Sequence, residues 1–144
     1  MNLNLLEDQV TENFKLSEFA NMNDGGAVLL NQDVIKFIQM LQTFRTWYNR
    51  PMKISSGYRT VAYNKRVGGV SNSYHLRGLA ADFLLPADFD NFTQDRQNEF
   101  LNNIKKKWES ICAENNKYNS VIYYDKWVHL SWWPTNYFQD KRTK

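Results

Sequence analysis

Hydrophobic residues recur with a helical period in two long segments of the chain and with a strand-like period in several short ones. Steps of three and four residues between apolar side chains, which are typical of an amphipathic helix, run through 31–48 and again through a segment ending near Asn115. The apolar positions are Val34, Phe37, Ile38, Leu41, Phe44 and Tyr48 in the first helix, and Phe100, Leu101, Ile104, Trp108, Ile111 and Cys112 in the second. This pattern predicts an α+β fold.

Short segments between and after the helices predict the strands of a small antiparallel sheet on which the helices pack. One strand is predicted at 52–55, a second at 79–85, and a terminal hairpin at 120–124 and 127–133. Side chains alternate between the two faces of a strand. Asp82 and His129 therefore point away from the face on which the apolar residues next to them in the sequence lie. Thr60 is placed to cap a brief helix that ends before Gly68.

The composition predicts one globular domain over residues 1–144. Hydrophobic residues make up 42% of the chain, which is enough for a single core. The single cysteine, Cys112, excludes an intramolecular disulfide and a cysteine-rich zinc finger, so a metal would be held by nitrogen and oxygen ligands. The net charge of +3 is too small to indicate nucleic acid as a partner, and no basic stripe accompanies it.

The first sixteen residues contain neither a basic flank nor an apolar run typical of a signal peptide, and no later segment has the length and apolarity of a membrane span. We therefore expect a chain that is cytoplasmic when synthesised and has no membrane partner. The sequence carries no indication of the oligomeric state.

Three residues form a candidate metal site. His75 and Asp82 lie seven positions apart across Gly78, a residue that allows the chain to turn so that a loop histidine and a strand carboxylate converge. His129 would supply a third ligand if its strand pairs beside the strand that carries Asp82. Two imidazoles and a carboxylate suit a catalytic zinc ion, which keeps one position open. The alternative is that both histidines only pack or form hydrogen bonds.

The run SYHLRGLAAD at 73–82 resembles the S-x-H-x-x-G-x-A-x-D signature of the zinc D-Ala-D-Ala carboxypeptidase family. This family includes vancomycin-resistance dipeptidases and phage L-alanyl-D-glutamate endolysins. Further segments are similar to the family in the same order: ISSGYR at 54–59, WVHL at 127–130, and the opening NFKLSEF, which resembles short phage and prophage members.

The resemblance implies a hedgehog-like DD-peptidase fold, a Zn²⁺ cofactor, and bacterial peptidoglycan as the substrate. It implies that His75, Asp82 and His129 are the zinc ligands. Arg59 would stabilise the negative charge that develops on the substrate oxygen, since a fixed cation lowers that barrier. Ser73 would bind substrate or orient the ligand loop, although it can equally serve the loop backbone.

The acidic residue that would serve as general base is not at its usual positions. Many family members carry it three residues before or two residues after the last histidine, where this chain has Lys126 and Ser131. Asp125 is the nearest substitute, and an ordinary turn residue is its alternative role. Tyr74 belongs to a set of aromatic residues near the site, which either line a groove for glycan or peptide or pack in the core.

Two functions follow. The first is a zinc-dependent peptidase of the carboxypeptidase or endolysin type that hydrolyses peptidoglycan stem peptides, encoded by a phage or prophage. The second is a catalytically inactive zinc-binding structural or wall-binding module, for example a component of a phage particle. Lys126 and Ser131 favour the second.

Overall fold

The computed structural model describes residues 8–134. Its principal helices are α1 (Gln32–Tyr48), α2 (Val61–Arg66) and α3 (Gln94–Glu114). The strands are β1 (Ile54–Ser56), β2 (Ala80–Leu84), β3 (Lys117–Tyr123) and β4 (Trp127–Pro134), and a 3₁₀ turn at Tyr74–Arg77 precedes β2. The α+β class predicted from the sequence is confirmed.

The helices begin and end where the sequence supplies capping groups. The Asn31 side chain accepts a hydrogen bond of 2.8 Å from the Val34 amide and so caps α1. Helix α1 ends at Asn49, whose left-handed conformation turns the chain away from the helix axis. Thr60 and Thr93 cap α2 and α3 in the same way. Local capping chemistry therefore fixes these boundaries.

The four strands form one antiparallel sheet in the order β1-β2-β4-β3. Strand β2 thus pairs with the last strand of the chain, and in this pairing Asp82 lies opposite His129. Strand β1 flanks β2 on the other side, with Ser56 opposite Asp82. The sheet therefore brings three distant parts of the sequence to one place.

One face of the sheet packs on α1 and α3 to form the core. Trp108 of α3 contacts Phe37 and Phe44 of α1, with ring centroids 5.9 and 6.3 Å apart. Its indole nitrogen donates a hydrogen bond of 2.8 Å to the Ser131 carbonyl of β4. Fully buried sheet residues of this core include Phe83, Val128, Leu130 and Trp132. The helices therefore hold the two central strands in position.

The strand boundaries differ from the prediction by a few residues. The first strand begins at Ile54, later than the predicted residue 52, and the hairpin begins at Lys117, earlier than the predicted residue 120. Residues 117–119 pair with the end of β4, and this pairing extends a strand whose polar start has no alternating pattern. In the described part of the chain, no helix has the length and apolar character of a membrane span.

Candidate metal centre

His75, Asp82 and His129 come together on the sheet face opposite helices α1 and α3. The Asp82 Oδ1 atom lies 2.8 Å from His129 Nδ1 and 3.3 Å from His75 Nε2. One ligand atom from each residue lies within 4.8 Å of the others, and all three residues are buried. The predicted pairing of the His129 strand with the Asp82 strand is what brings these atoms together.

The imidazole of His75 is oriented by the backbone of the preceding motif. Its Nδ1 atom lies 2.6 Å from the Gly57 carbonyl oxygen, which can only accept, so Nδ1–H donates and Nε2 is the ring nitrogen that faces Asp82. A hydrogen bond of this kind fixes the tautomer of a metal-binding histidine. The Ser73 hydroxyl accepts a hydrogen bond of 3.2 Å from the His75 amide and caps the 3₁₀ turn. This bond joins Ser73 to the backbone of the turn that carries His75, and contact of Ser73 with substrate stays a prediction.

Two glycines are required for this arrangement. Gly78 has φ +70°, and a Cβ atom there would lie 2.8 Å from Cγ2 of the buried Val34. Gly57 approaches Phe19 so closely that a Cβ atom would lie 2.7 Å from the Phe19 backbone. Glycine at 78 therefore allows the loop to turn into β2 without strain, and glycine at 57 allows the close approach to Phe19 next to which the Gly57 carbonyl meets His75.

The charge of Asp82 is stabilised in a buried position. Burial alone would raise the pKa of this carboxyl, but hydrogen bonds and charge interactions with His129 and His75 together hold the pKa well below its ordinary value. Asp82 is therefore a carboxylate, the form that binds a metal ion. A buried carboxylate of this kind needs a cationic or hydrogen-bonding partner on each side.

Arg59 supplies a cation next to the three candidate ligands. Its Nη2 atom lies 3.9 Å from Asp82 Oδ2, and the side chain is 18% exposed. The Arg59 amide donates a hydrogen bond of 3.0 Å to the His75 carbonyl, so the SGYR segment and the ligand turn are joined. The ion partner of Arg59 is thus a buried residue of the site itself.

These residues form the floor and one wall of a cleft of about 540 Å³. Arg59 and Ser73 contribute polar groups beside the candidate ligands. The rest of the lining is mainly apolar and aromatic. The apolar lining residues are Val67, Val70, Ile122, Tyr124 and Trp127. The cleft therefore combines charged groups and histidines with apolar side chains, a lining that can hold a peptide.

The donor set fits zinc. Around a tetrahedral zinc ion with bonds of about 2.0–2.1 Å, neighbouring ligand atoms lie about 3.3 Å apart, which is close to the observed separation of Asp82 Oδ1 and His75 Nε2. Two imidazoles and a carboxylate would hold a bound zinc ion through three protein ligands and would leave one position for water or substrate. Three protein ligands and one open position are typical of a catalytic zinc site.

Comparison with known protein families shows the family to which the chain belongs. The model of the peptidase M15 family matches residues 12–131, a range that contains every predicted site residue. This chain belongs to the peptidase M15 family. Peptidases of the M15 family are zinc-dependent, so the zinc cofactor and the metallopeptidase relationship predicted from the signature are confirmed. No curated protein and no solved structure gave a significant match.

Asp125, and the residues Lys126 and Ser131 that occupy the usual acidic positions, are not among the described residues that line the cleft of this M15 domain. Asp125, in the turn between β3 and β4, lines a second cleft together with Lys126 and Asp90. Lys126 is exposed and pairs with Asp90 at 3.2 Å, whereas Ser131 is fully buried. Among the described residues that line the first cleft, Asp82 is the only carboxylate. The role of Asp125 as general base stays a prediction that its position does not favour.

Tyr74 takes the packing role that was the alternative for the aromatic residues. Its side chain is 5% exposed and stacks on Trp133, with ring centroids 4.8 Å apart and an interplanar angle of 9°. It is not among the residues that line the cleft, whereas Tyr124 and Trp127 are. Direct contact between Tyr74 and substrate stays a prediction without support from its position.

Two groups of the site were not identified from the sequence. The Gly57 carbonyl acts through the backbone, so the side chain gives no indication of its role. Asn64 is the buried residue of the otherwise exposed or half-buried helix α2 and contacts Arg59. A polar residue in a short polar helix carries no periodic pattern, and only the structure shows that it is buried.

Proposed function

We propose that this M15 peptidase hydrolyses a peptide bond in the stem peptides of bacterial peptidoglycan, with zinc held by His75, Asp82 and His129. The convergence of these three donors on the floor of a cleft that also contains Arg59 is the observation that carries the proposal. Zinc, when bound, activates a water molecule and polarises the scissile carbonyl. The residues of the chain then bind the peptide and stabilise the charge that develops.

Arg59 would stabilise the oxygen of the scissile carbonyl as it becomes negative. The guanidinium is mostly buried beside Asp82, so it is held in place before substrate arrives. Preorganised positive charge in a partly dry site is more effective than the same charge in water. Stem peptides also carry free carboxylates, which suit a cationic wall. Ser73 would keep His75 oriented during the reaction through its hydrogen bond to the His75 amide.

Hydrolysis also needs a group that takes the proton of water and delivers it to the leaving amine. Asp125 is the nearest acidic residue to His129 in the sequence, and it would act in this role if the turn between β3 and β4 moved its carboxylate towards the cleft. Replacement Asp125→Asn would then lower kcat strongly and leave zinc content unchanged. An unchanged kcat would exclude Asp125 and leave the acceptor to be found elsewhere.

The direct test is incubation of the zinc-loaded protein with purified peptidoglycan, with released amines and fragments followed by chemical labelling and mass spectrometry. We expect amine release by the wild type, loss of release with a chelator, recovery when zinc is restored, and none from His129→Ala. Free D-alanine would indicate a carboxypeptidase, and a new D-glutamate amino terminus would indicate an endopeptidase. A zinc-loaded wild type that releases neither from walls of several chemotypes would contradict the proposal.

The alternative is a zinc-binding structural or wall-binding module without turnover. It is favoured by the absence of a second carboxylate among the described residues that line the cleft. Such a module would bind zinc and co-sediment with insoluble peptidoglycan without releasing amines. For either function we propose a phage or prophage origin, which rests on the similarity of the opening NFKLSEF to short phage members of the family.

A further inference from the structure

We propose that Asn64 is a positioning residue for Arg59, and that its side-chain amide joins this cation to the cleft wall formed by residues 67–70. The proposal deepens the proposed peptidase function and rests on it. Asn64 is 3% exposed, although it belongs to a short helix at the surface. Burial of an amide costs free energy unless each of its polar atoms is bonded, so the partners of Asn64 define its role.

Both polar atoms of the Asn64 amide have partners in the site. Its Oδ1 atom accepts a hydrogen bond of 3.1 Å from Arg59 Nη1, and its Nδ2 atom donates one of 2.9 Å to the Val70 carbonyl. The Asn64 carbonyl of the main chain also accepts a hydrogen bond of 2.8 Å from the Gly69 amide. One residue therefore connects the cation and the wall of the cleft.

The contacts of Arg59 show what the amide restrains. Arg59 Nε donates to Ser56 Oγ at 3.3 Å, and Nη2 faces Asp82 Oδ2 at 3.9 Å. The bond to Asn64 fixes the remaining nitrogen, Nη1, so each nitrogen of the guanidinium has a defined direction. Without that bond, the side-chain hydrogen bond to Ser56 is the only one among the described residues that holds the guanidinium against its attraction to the Asp82 carboxylate. The cation would then lose the orientation that faces substrate.

Gly69 covers the hydrogen bond between Asn64 and Arg59. A Cβ atom at position 69 would lie 2.1 Å from Asn64 Oδ1 and 3.0 Å from Arg59 Nη1. The wall backbone therefore packs directly on this bond, and the space admits no side chain. Exclusion of water strengthens a charge-assisted hydrogen bond. Gly69 does not have a left-handed conformation, so the reason for a glycine at this position is the close packing.

The first test is a double-mutant cycle in the zinc-loaded protein, with kcat and KM measured on peptidoglycan fragments. We expect Asn64→Ala to lower kcat roughly 10- to 100-fold through misplacement of the cation, with little change in zinc content. In an Arg59→Ala background the same substitution should cost little, because its effect passes through Arg59. Equal losses in both backgrounds would overturn the proposal. Asn102→Ala, at an exposed position of α3, is the matched control.

The second test does not depend on turnover. In wild-type protein labelled with ¹⁵N, we expect the Arg59 Nε–H group to show the restricted motion of a fixed guanidinium by NMR relaxation. Asn64→Ala should release that motion, whereas Asn64→Asp keeps an acceptor for Nη1 and should preserve most of the restriction. An Arg59 group that is equally rigid in Asn64→Ala, or mobile in the wild type, would overturn the proposal even if the wild type proves inactive.

Gly69→Ala provides a third variant in case Asn64→Ala does not fold. It crowds the hydrogen bond from outside and leaves both partners in place. We expect the same rise in Arg59 mobility and the same loss of kcat. A folded Gly69→Ala protein with wild-type Arg59 relaxation would contradict the proposed role of the cleft wall. Failure of peptidoglycan hydrolysis in the wild type, with Arg59 mobility responding as described, would reject the peptidase function alone.

Discussion

Asp82 lies between both histidines and Arg59, and this position gives it two roles. Its carboxylate provides a candidate metal ligand through Oδ1, and it attracts the guanidinium of Arg59 through Oδ2. Because a buried carboxylate is costly when unpaired, these partners stabilise the charged form in the folded protein. The ligand and the cation are therefore linked through a single side chain, and a substitution at either affects the field at the other.

Arg59 is the residue for which the account makes its clearest kinetic prediction. Replacement Arg59→Ala should lower kcat about 100- to 1,000-fold, the loss typical of removing one donor to a developing oxyanion. Arg59→Lys should recover only part of that rate, since an ammonium group cannot bond Ser56 and Asn64 as the planar guanidinium does. Steady-state kinetics with zinc content measured in parallel provides the check. Unchanged kcat at full zinc occupancy would remove Arg59 from the mechanism.

The buried thiol of Cys112 offers a second prediction for a single residue. Burial, with a smaller contribution from Glu109, raises the pKa of this thiol far above its ordinary value. Since the thiolate is the reactive form, the native protein should not react with a thiol reagent at pH 8. One thiol per chain should react after denaturation. Rapid reaction in the native state would show that α3 is not packed as described.

At the level of elements, the pairing of β2 with β4 creates the site. Alternation in the sequence described the strands that carry Asp82 and His129, and His129 was predicted as a ligand only on condition that its strand pairs beside the Asp82 strand. The structure meets that condition, with Asp82 opposite His129. Which strands pair depends on the packing of the whole sheet, so the pairing cannot be predicted from the local pattern of one sequence.

The two groups of the site that were not predicted are a backbone carbonyl and a buried side chain. The orientation of His75 depends on the Gly57 carbonyl, and that of Arg59 on the Asn64 amide. Tyr74 shows a related limit, because the sequence left open whether this aromatic residue lines the cleft or packs in the core, and in the structure its side chain stacks on Trp133. Side-chain identity shows which chemistry is available, whereas three-dimensional packing decides which groups reach the cleft.

The turn before β2 can be tested with a matched pair of glycine substitutions. Gly78→Ala should destabilise the fold by about 1 to 2 kcal/mol for the left-handed conformation, with a further cost for the contact with Val34. Gly25→Ala has the same φ of +70° with nothing within 4 Å, so it should show only the first cost. Thermal unfolding measures the difference. Equal stability of the two variants would contradict the close packing of Gly78.

For the whole molecule, the core and the metal centre occupy opposite faces of one sheet. The helices α1 and α3 bury one face, and the ligands and the cleft lie on the other. Most of the apolar burial that stabilises the domain is therefore independent of the metal. The fold should persist without zinc, and zinc should add stability by binding the folded state alone.

Removal of zinc with a chelator should accordingly lower the midpoint of thermal unfolding and leave the helical circular dichroism signal in place. Free zinc at about 1,000 times its dissociation constant adds about 4 kcal/mol, which corresponds to a shift on the order of 10 °C. Restoring zinc should restore the midpoint. Complete unfolding of the metal-free protein would contradict a fold that persists without zinc. No shift of the midpoint on adding zinc would contradict stabilisation by binding to the folded state.

The content of bound zinc in the purified protein tests the central claim most directly. Elemental analysis should give about one zinc per chain for the wild type and for Asp125→Asn, which changes a residue of the adjacent turn outside the donor set. His75→Ala, Asp82→Asn and His129→Ala should each lose most of the metal while remaining folded. A wild type without zinc, or three variants that keep a full equivalent, would contradict the assignment of these residues as the metal centre.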